Sequence, residues 1–276
     1  MDYIGPFTFG ASRFILGALV LIPVVLIMAR TKQKNTEKEV FITKPTLFGG
    51  VACGFALFLA ASFQQTGIIY TTSGKAGFIT ALYIVLVPLF GLFLHKKIHS
   101  LIWVGVAFAI PGLYLLCCKE GFTIGKGDLI VLLGTIFWAI HILIVDHFAP
   151  VVDCLKMSII QFLVAGLLSG VAMFLSENPT ITALLDSAWP ILYTSVMVVG
   201  VAYTFQIFGQ RNTDPAISSI IMSLESVFAV ICGMLLLNEV MSTKEIIGCI
   251  LMFISVIITQ LPQRDIALQT VIEQKS

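Results

Sequence analysis

The sequence predicts an all-α polytopic membrane protein with nine transmembrane helices arranged as an inverted repeat. Three observations lead to this fold class. Of the 276 residues, 58% are hydrophobic and only 11% are charged, whereas a soluble domain carries about 25% charged residues. The chain contains nine apolar stretches, each close to the roughly 20 residues that a helix needs to cross a bilayer. A polar motif also recurs 142 residues further along the chain.

The nine predicted spans account for most of the chain, whose mean hydropathy is +1.01. In order, they cover residues 6–29, 47–69, 76–94, 101–118, 128–145, 157–175, 188–208, 216–237 and 246–261. The longest polar segment between them, 30–46, is too short to form a domain. We therefore expect no soluble catalytic module.

The distribution of Lys and Arg predicts the orientation in the membrane. If the 30–46 loop is cytoplasmic, eleven of the sixteen basic residues lie inside, four lie outside and Arg13 lies within the first span. The positive-inside rule favours this arrangement over its reverse. We expect a multi-pass protein of the plasma membrane with its N-terminus outside and its C-terminus cytoplasmic.

Charge and motifs exclude several function classes. Sixteen basic and fifteen acidic residues leave a net charge of +1, so the chain has no electrostatic footprint for nucleic acid. The sequence contains no H-E-x-x-H, G-x-S-x-G or Walker motif, and its six cysteines lack metal-ligand spacing with histidine. We expect neither enzymatic activity nor a metal or cofactor. The lipid bilayer and a small solute are the expected partners, and a homodimer is compatible with the sequence although no interface signature stands out.

The internal repeat appears when the sequence is shifted by 142 residues. Ten identities then fall within 38 positions, without a gap. The most informative frame is F-Q-x-x-G-x-x-x-T, because glutamine is costly in hydrocarbon and should not recur by chance. Related spans are five apart, an odd number, so the two copies have opposite orientation. Inverted repeats are common in secondary transporters, whose substrate site lies near the midplane between the halves.

These features resemble the drug/metabolite transporter superfamily, EamA type. Residues 63–88, FQQTGIIYTTSGKAGFITALYIVLVP, are similar to the helix 3–4 region of that family. Residues 223–239, SLESVFAVICGMLLLNE, are similar to its helix 9, with Glu225 and Glu239 at the two glutamates. Trp138 and the 6–19 segment, which contains Arg13, also match family positions. Ser226 replaces the proline that usually follows the first helix 9 glutamate.

The resemblance implies two repeats of five helices. Here the first repeat, 1–118, shows four spans and no equivalent of family helix 1, so either the sequence starts at an internal Met or the protein is shorter than the family pattern. The second repeat, 127–261, has five and is followed by a cytoplasmic tail, 262–276. Family helix 1 lines the transport cavity, so this departure bears directly on transport.

Three charged residues are candidate cavity residues. Glu225 lies nine residues into its span, about 14 Å deep at roughly 1.5 Å per residue, where it would recognise a substrate ammonium, couple protons or tie helices together. Arg13 lies about 10 Å deep in the first span, as an anion site, a snorkelling side chain or an interhelical donor. Lys75 begins its span on the outer side. Its side chain either snorkels to the interface or faces a vestibule for anionic solutes.

Neutral polar and aromatic residues complete the candidate site. Gln64, Gln65 and Gln206 lie in apolar spans, and the repeat-related pair Gln64 and Gln206 is either a pair of gates or a source of interhelical hydrogen bonds. Tyr83 aligns with Glu225 across the repeat. An aromatic pocket for amphipathic or cationic metabolites would be lined by Tyr83, Trp138, His141 and Tyr203. For each of these four residues, packing between helices is the alternative role.

Two function classes follow. The first is a gradient-driven carrier of small metabolites, such as amino acids or related compounds, that works by alternating access between inverted halves. The second is a truncated, non-transporting membrane paralogue that acts as a partner or scaffold.

Overall fold

The structure is a computed structural model that describes residues 4–32, 42–96, 98–117, 124–237 and 242–273. Within these ranges every regular element is a helix, which confirms the all-α prediction. The helices are α1 (Pro6–Lys32), α2 (Lys44–Ile68), α3 (Ser73–Ala81), α4 (Tyr83–Phe93), α5 (Ser100–Cys117), α6 (Lys126–Phe148), α7 (Cys154–Ser176), α8 (Ile181–Asp186), α9 (Ala188–Tyr193), a π-helical segment (Thr194–Tyr203), α10 (Thr204–Gln210), α11 (Pro215–Met222), α12 (Glu225–Leu237) and α13 (Thr243–Glu273).

Eight helical stretches of the described chain are long and apolar enough to cross a membrane. The ninth predicted span coincides with α11 and α12, whose apolar helix Pro215–Phe228 is shorter. The short helix α8 was not predicted, since six residues lie below the length of any span. The chain is thus a membrane protein.

Consecutive spans run in alternating directions, so their ends form two faces of the bundle. The Pro6 face carries the starts of α1, α3 and α6, and the Lys44 face carries the starts of α2 and α7. At the Pro6 face, Lys126 Nζ lies 5.6 Å from the centre of the Tyr70 ring. At the Lys44 face, Lys96 forms an ion pair with Asp146.

Small residues allow the central helices to pack closely. Helix α2 lies between α6 and α7, and α1 lies against α7 and the π-helical segment. A Cβ atom at Gly50 would lie 2.6 Å from Ile160 Cβ, and one at Gly17 would lie 2.4 Å from Val199 Cγ1. These two glycines therefore fix how near α7 and the π-helical segment come to their neighbours.

Two membrane helices tighten locally, to hydrogen bonds that reach three residues back instead of four, at positions related by the repeat. Between α3 and α4, the Leu82 N–H donates to the carbonyl of Ile79, three residues back. Between α11 and α12, the Leu224 N–H donates to the carbonyl of Ile221 in the same way. Leu82 and Leu224 are 142 positions apart. The two helices also touch each other, through α4 and α11.

The two copies of the repeat have different surroundings. Phe63 stacks on Phe137 of α6 with ring centroids 5.7 Å apart, whereas its counterpart Phe205 is 68% exposed. A Cβ at Gly67 would lie 2.5 Å from Val131 Cγ2, but one at Gly209 would meet nothing within 4 Å. The first copy differs because α6 packs on Phe63 and Gly67. Among the described helices, none packs on Phe205 and Gly209 in the same manner.

Candidate functional site

The two tightened turns lie near the mid-length of their spans and are followed directly by Tyr83 and Glu225. Each of these residues comes ten residues after the start of its span, which is about 15 Å at roughly 1.5 Å per residue. The hydrocarbon core is about 30 Å thick. Tyr83 is buried and Glu225 is exposed on the protein surface, yet the two side chains interact electrostatically. Glu225 therefore lies at the open edge of the cluster.

Tyr203 connects this pair to Arg13. The Tyr203 phenol interacts electrostatically with both the Arg13 guanidinium and the Glu225 carboxylate. It is the last residue of the π-helical segment, and such segments are frequent at functional sites because they re-aim side chains. One phenol group is thus within electrostatic range of a cation from α1 and an anion from α12.

Arg13 remains inside the bundle. Its residue surface is only 6% exposed, and its guanidinium carbon lies 5.0 Å from the Phe9 ring centre and 4.8 Å from that of Phe14. The Nε atom is buried without a hydrogen-bond partner. The side chain does not snorkel to the surface, one of the alternatives that the sequence left open.

Aromatic side chains form the wall beside Tyr203. The Trp138 ring lies 5.9 Å from the Tyr203 ring and 6.0 Å from the His141 ring. Phe162 of α7 lies 6.3 Å from Tyr203 on another side. These contacts bring α6, α7 and the π-helical segment together around one phenol.

Gln64 ties the aromatic wall to the first repeat. The Trp138 Nε1–H donates to Gln64 Oε1 at 3.2 Å, and Gln64 Nε2 donates to Thr80 Oγ1 at 3.1 Å. Because all three residues come from different helices, these bonds fix the relative positions of α2, α3 and α6. Gln64 therefore has a defined interhelical role in this conformation.

Seven of the ten residues expected from the sequence thus belong to one connected cluster, which we call the central cluster. It comprises Arg13, Gln64, Tyr83, Trp138, His141, Tyr203 and Glu225. Lys75 lies at the Pro6 face within electrostatic range of Asp128, Gln65 is half-buried, and Gln206 has a buried Nε2 without a hydrogen-bond partner. Glu239 lies outside the described residues.

The sequence analysis missed Gln161 of α7. Its Oε1 lies 3.1 Å from His141 Nε2, and both residues are buried. Two further atoms of this pair, His141 Nδ1 and Gln161 Nε2, are buried without hydrogen-bond partners. The signal was available, because a glutamine within an apolar span is as costly here as at position 64.

Two acids at the Pro6 face were also missed, and they anchor helices rather than line the cluster. The Glu177 carboxylate accepts hydrogen bonds from the N–H groups of Phe7 and Thr8 at 2.9 and 2.8 Å and from Thr8 Oγ1 at 2.6 Å. Asp128 accepts from Gly125 N–H at 2.8 Å and Thr71 Oγ1 at 2.5 Å. Glu177 thereby holds the start of the helix that carries Arg13.

A separate groove of about 680 Å³ lies at the Lys44 face. Its walls come from α4, α6 and the turn after α4, and they are apolar apart from the Lys96–Asp146 ion pair and His147. Phe93 and Leu94 on its rim are 73% and 60% exposed, so the groove faces outward. The central cluster, which combines charge, hydrogen-bonding groups and aromatic rings, is the better candidate site.

The central cluster contains the kinds of groups that bind small molecules. It offers a cation, an anion, phenol and amide groups and three aromatic rings near the middle of the bundle. Within the described ranges, no group of three or more His, Cys, Asp or Glu side chains could hold a metal ion. Such a set can recognise a small polar solute that has an apolar part.

Comparisons with known proteins agree with this picture. A family model described as "EamA-like transporter family" matches residues 1–118 and 125–261. An "Uncharacterized transporter" of Archaeoglobus fulgidus is 28% identical over 263 residues, which cover 95% of this chain and 79% of that protein. The "Uncharacterized inner membrane transporter YedA" of Escherichia coli K12 is 26% identical over 192 residues, which cover 66% of this chain and 61% of that protein.

A solved structure titled "Crystal structure of protein" has a similar fold. Its TM-score is 0.75 at 19% sequence identity, and the match covers 95% of this chain and 90% of the other. This likeness concerns the fold alone.

Proposed function

We propose that this chain, which belongs to the EamA-like transporter family, is a gradient-driven carrier of small metabolites. The observation that carries the proposal is the pair of tightened helix turns at repeat-related positions, which set Tyr83 and Glu225 midway along their spans and within electrostatic range of each other. Irregular helix geometry at corresponding positions of two halves supports a substrate site of the kind that secondary transporters have.

Alternating access would use the two halves as rocking units around the central cluster. The family relationship supports a transport role, and the absence of a Walker motif from the sequence supports a solute or ion gradient as the source of energy. Glu225 is the residue we assign to coupling, because its carboxylate lies at the open edge of the cluster, where it can exchange a cation or proton. Amino acids and related compounds are the proposed solutes, and the plasma membrane is the proposed location.

Reconstitution of the purified chain into liposomes tests this proposal. Uptake of a broad panel of labelled metabolites would be measured with and without an imposed proton gradient. We expect at least one solute to accumulate only with the gradient, and Glu225→Gln to abolish the accumulation. Asp186→Asn, which neutralises an exposed acid at the end of α8, is the matched control and should leave accumulation intact. Uptake that equals that of empty liposomes for every solute would contradict the proposal.

The second candidate function is a non-transporting membrane partner. An exposed face of the second repeat favours this partner function. Phe205 and Gly209 are exposed on it, whereas the equivalent residues Phe63 and Gly67 pack against α6. The same liposome assay separates the two functions, since a partner protein by itself would accumulate no solute.

A further inference from the structure

The groove at the Lys44 face extends from the ends of two membrane spans towards the middle of the membrane. Its apolar walls come from the last turns of α4 and α6, at residues such as Phe90 and Ile140, and the two spans end at Phe93 and Phe148. From Ile140 to Phe148 the α6 wall extends about 12 Å at roughly 1.5 Å per residue. One leaflet contributes about 15 Å of hydrocarbon, half of the roughly 30 Å core. The groove therefore covers most of the depth of one leaflet.

The groove opens to the side of the bundle, where the lipid lies. Phe93 and Leu94 on its rim are exposed, and such apolar side chains are favourably placed when apolar molecules surround them. Its volume of about 680 Å³ lies within the range of small-molecule sites. The apolar part of the groove therefore suits an acyl chain.

A pair of opposite charges lies at the end of the groove nearest the Lys44 face. Lys96, which follows α4, forms an ion pair with Asp146 of α6, and their side chains are 40% and 16% exposed. Both groups are thus within reach of a ligand. Because a partly exposed ion pair adds little to stability, its two charges can exchange partners with a ligand that carries one charge of each sign.

The turn that carries Lys96 has a strained backbone. The Lys96 N–H donates to the Gly91 carbonyl at 2.9 Å, and the His95 N–H donates to the Leu92 carbonyl at 3.0 Å. These are the two bonds of a Schellman motif, which usually has glycine at its left-handed position. Here His95 occupies that position with φ of 58°, a conformation that is unfavourable for a residue with a Cβ atom. The strained turn holds Lys96 beside α6, and such strain is often found at binding sites.

We propose that the groove binds one phospholipid with a primary ammonium headgroup, of the phosphatidylethanolamine type, from the leaflet at the Lys44 face. Lys96 would bind the phosphate, and the Asp146 carboxylate would accept hydrogen bonds from the headgroup ammonium. One acyl chain would lie along Phe90 and Ile140. A choline headgroup has no N–H to donate to Asp146, and a glycerol headgroup has no cation. This site lies outside the central cluster, and the inference does not rest on the carrier function.

Native mass spectrometry of the full chain in detergent tests the headgroup preference. Delipidated protein would be mixed with the palmitoyl-oleoyl forms of phosphatidylethanolamine, phosphatidylcholine and phosphatidylglycerol, which differ only in the headgroup. We expect the first lipid to bind with an apparent affinity at least about threefold higher than the other two, because only its headgroup matches both charges. Equal affinities for the three lipids would overturn the inference. So would a wild-type protein that is dimeric and binds none of them, since the groove would then be an interface between two copies.

Substitutions of the ion pair should remove this preference. Lys96→Gln and Asp146→Asn should each bring the affinity for phosphatidylethanolamine to within about twofold of that for phosphatidylcholine. The matched controls are Lys156→Gln and Asp153→Asn, which alter an ion pair at the start of α7, on the same face of the bundle but outside the groove. Both controls should keep the wild-type preference. An equal loss in the control variants would show that the headgroup does not bind at the groove.

A bulky side chain in the apolar wall tests the acyl-chain part while the charges stay intact. Ile140→Trp should obstruct the groove and lower the affinity for phosphatidylethanolamine by about threefold or more. Leu133→Trp, at an exposed apolar position two turns away on α6 and outside the groove, should leave the affinity unchanged. This comparison also decides the inference if the ion-pair variants give no monodisperse protein. Wild-type affinity in the Ile140 variant would mean that the lipid does not occupy the groove.

Discussion

Tyr83 and Glu225 stand 142 positions apart in the sequence, follow equivalent tightened turns in two membrane helices and lie within electrostatic range of each other. The repeat places them at corresponding positions, but one copy carries a neutral phenol and the other a carboxylate. Their surroundings also differ, since Tyr83 is buried and Glu225 is exposed. The two helices therefore share a backbone turn at this point but carry side chains of different charge.

A double-mutant cycle checks the interaction between these two residues. Tyr83→Phe and Glu225→Gln should show a coupling of about 0.5–1 kcal/mol in the free energy of unfolding in detergent, because residues in one polar network are not additive. Tyr83→Phe combined with the distant Asp186→Asn should be additive within about 0.5 kcal/mol. If the free-energy changes of the single variants add up to that of the double variant in both cycles, Tyr83 and Glu225 do not interact.

The glycines of the repeated motif should respond differently to the same substitution. Gly67→Ala should destabilise the protein by about 1–3 kcal/mol, because the new methyl group would overlap Val131 of α6. Gly209→Ala should be neutral or stabilising by up to about 1 kcal/mol, since its position is open and alanine favours helix. Thermal unfolding in detergent measures both effects. Similar losses at the two positions would show that the second copy is covered after all.

The glutamines of the motif form a second matched pair. Gln64→Leu should destabilise the protein by about 1–2 kcal/mol, because Trp138 Nε1 and Thr80 Oγ1 lose their partner. Gln206→Leu should have little effect on stability, because the Gln206 Nε2 atom has no partner to lose. The same variants address the gate hypothesis through uptake rates. Unchanged uptake in both variants would end that hypothesis.

Glu177 should hold the start of α1 in place. Glu177→Ala removes the acceptor for three hydrogen bonds at this helix N-terminus, which should lower the free energy of unfolding by about 1–2 kcal/mol. Amide hydrogen exchange should increase over the first two turns of α1. Asp186→Ala is the control and should alter neither quantity. Unchanged exchange in the Glu177 variant would indicate that packing alone fixes this end.

The orientation predicted from the basic residues can be checked independently of transport. A fluorescent protein fused to the C-terminus should fold and fluoresce, because eleven basic residues lie on the side that we expect to be cytoplasmic. A periplasmic reporter enzyme fused at the same point should be inactive. The reverse pair of results would invert the assignment of the Pro6 and Lys44 faces.

The positions of the membrane helices follow from sequence alone. A helix that crosses hydrocarbon must satisfy its own backbone and expose apolar side chains for about 20 residues, so the spans are visible as composition. The repeat was visible for a related reason, because a glutamine in such a span is rare enough to mark a position. The family assignment, which the comparisons confirm, used the same residues.

Only the tertiary structure decided which polar side chains meet. These helices are apolar on nearly every side, so the sequence pattern does not indicate which face points inward. Gln64 and Gln206 lie in the same motif, yet only Gln64 has partners, because α6 lies against the first copy. The tightened turn at Leu82 was likewise not predictable, since the residues around it are mostly ordinary apolar ones. The path of the chain through space, rather than local composition, brings Arg13, Tyr203 and Glu225 into one cluster.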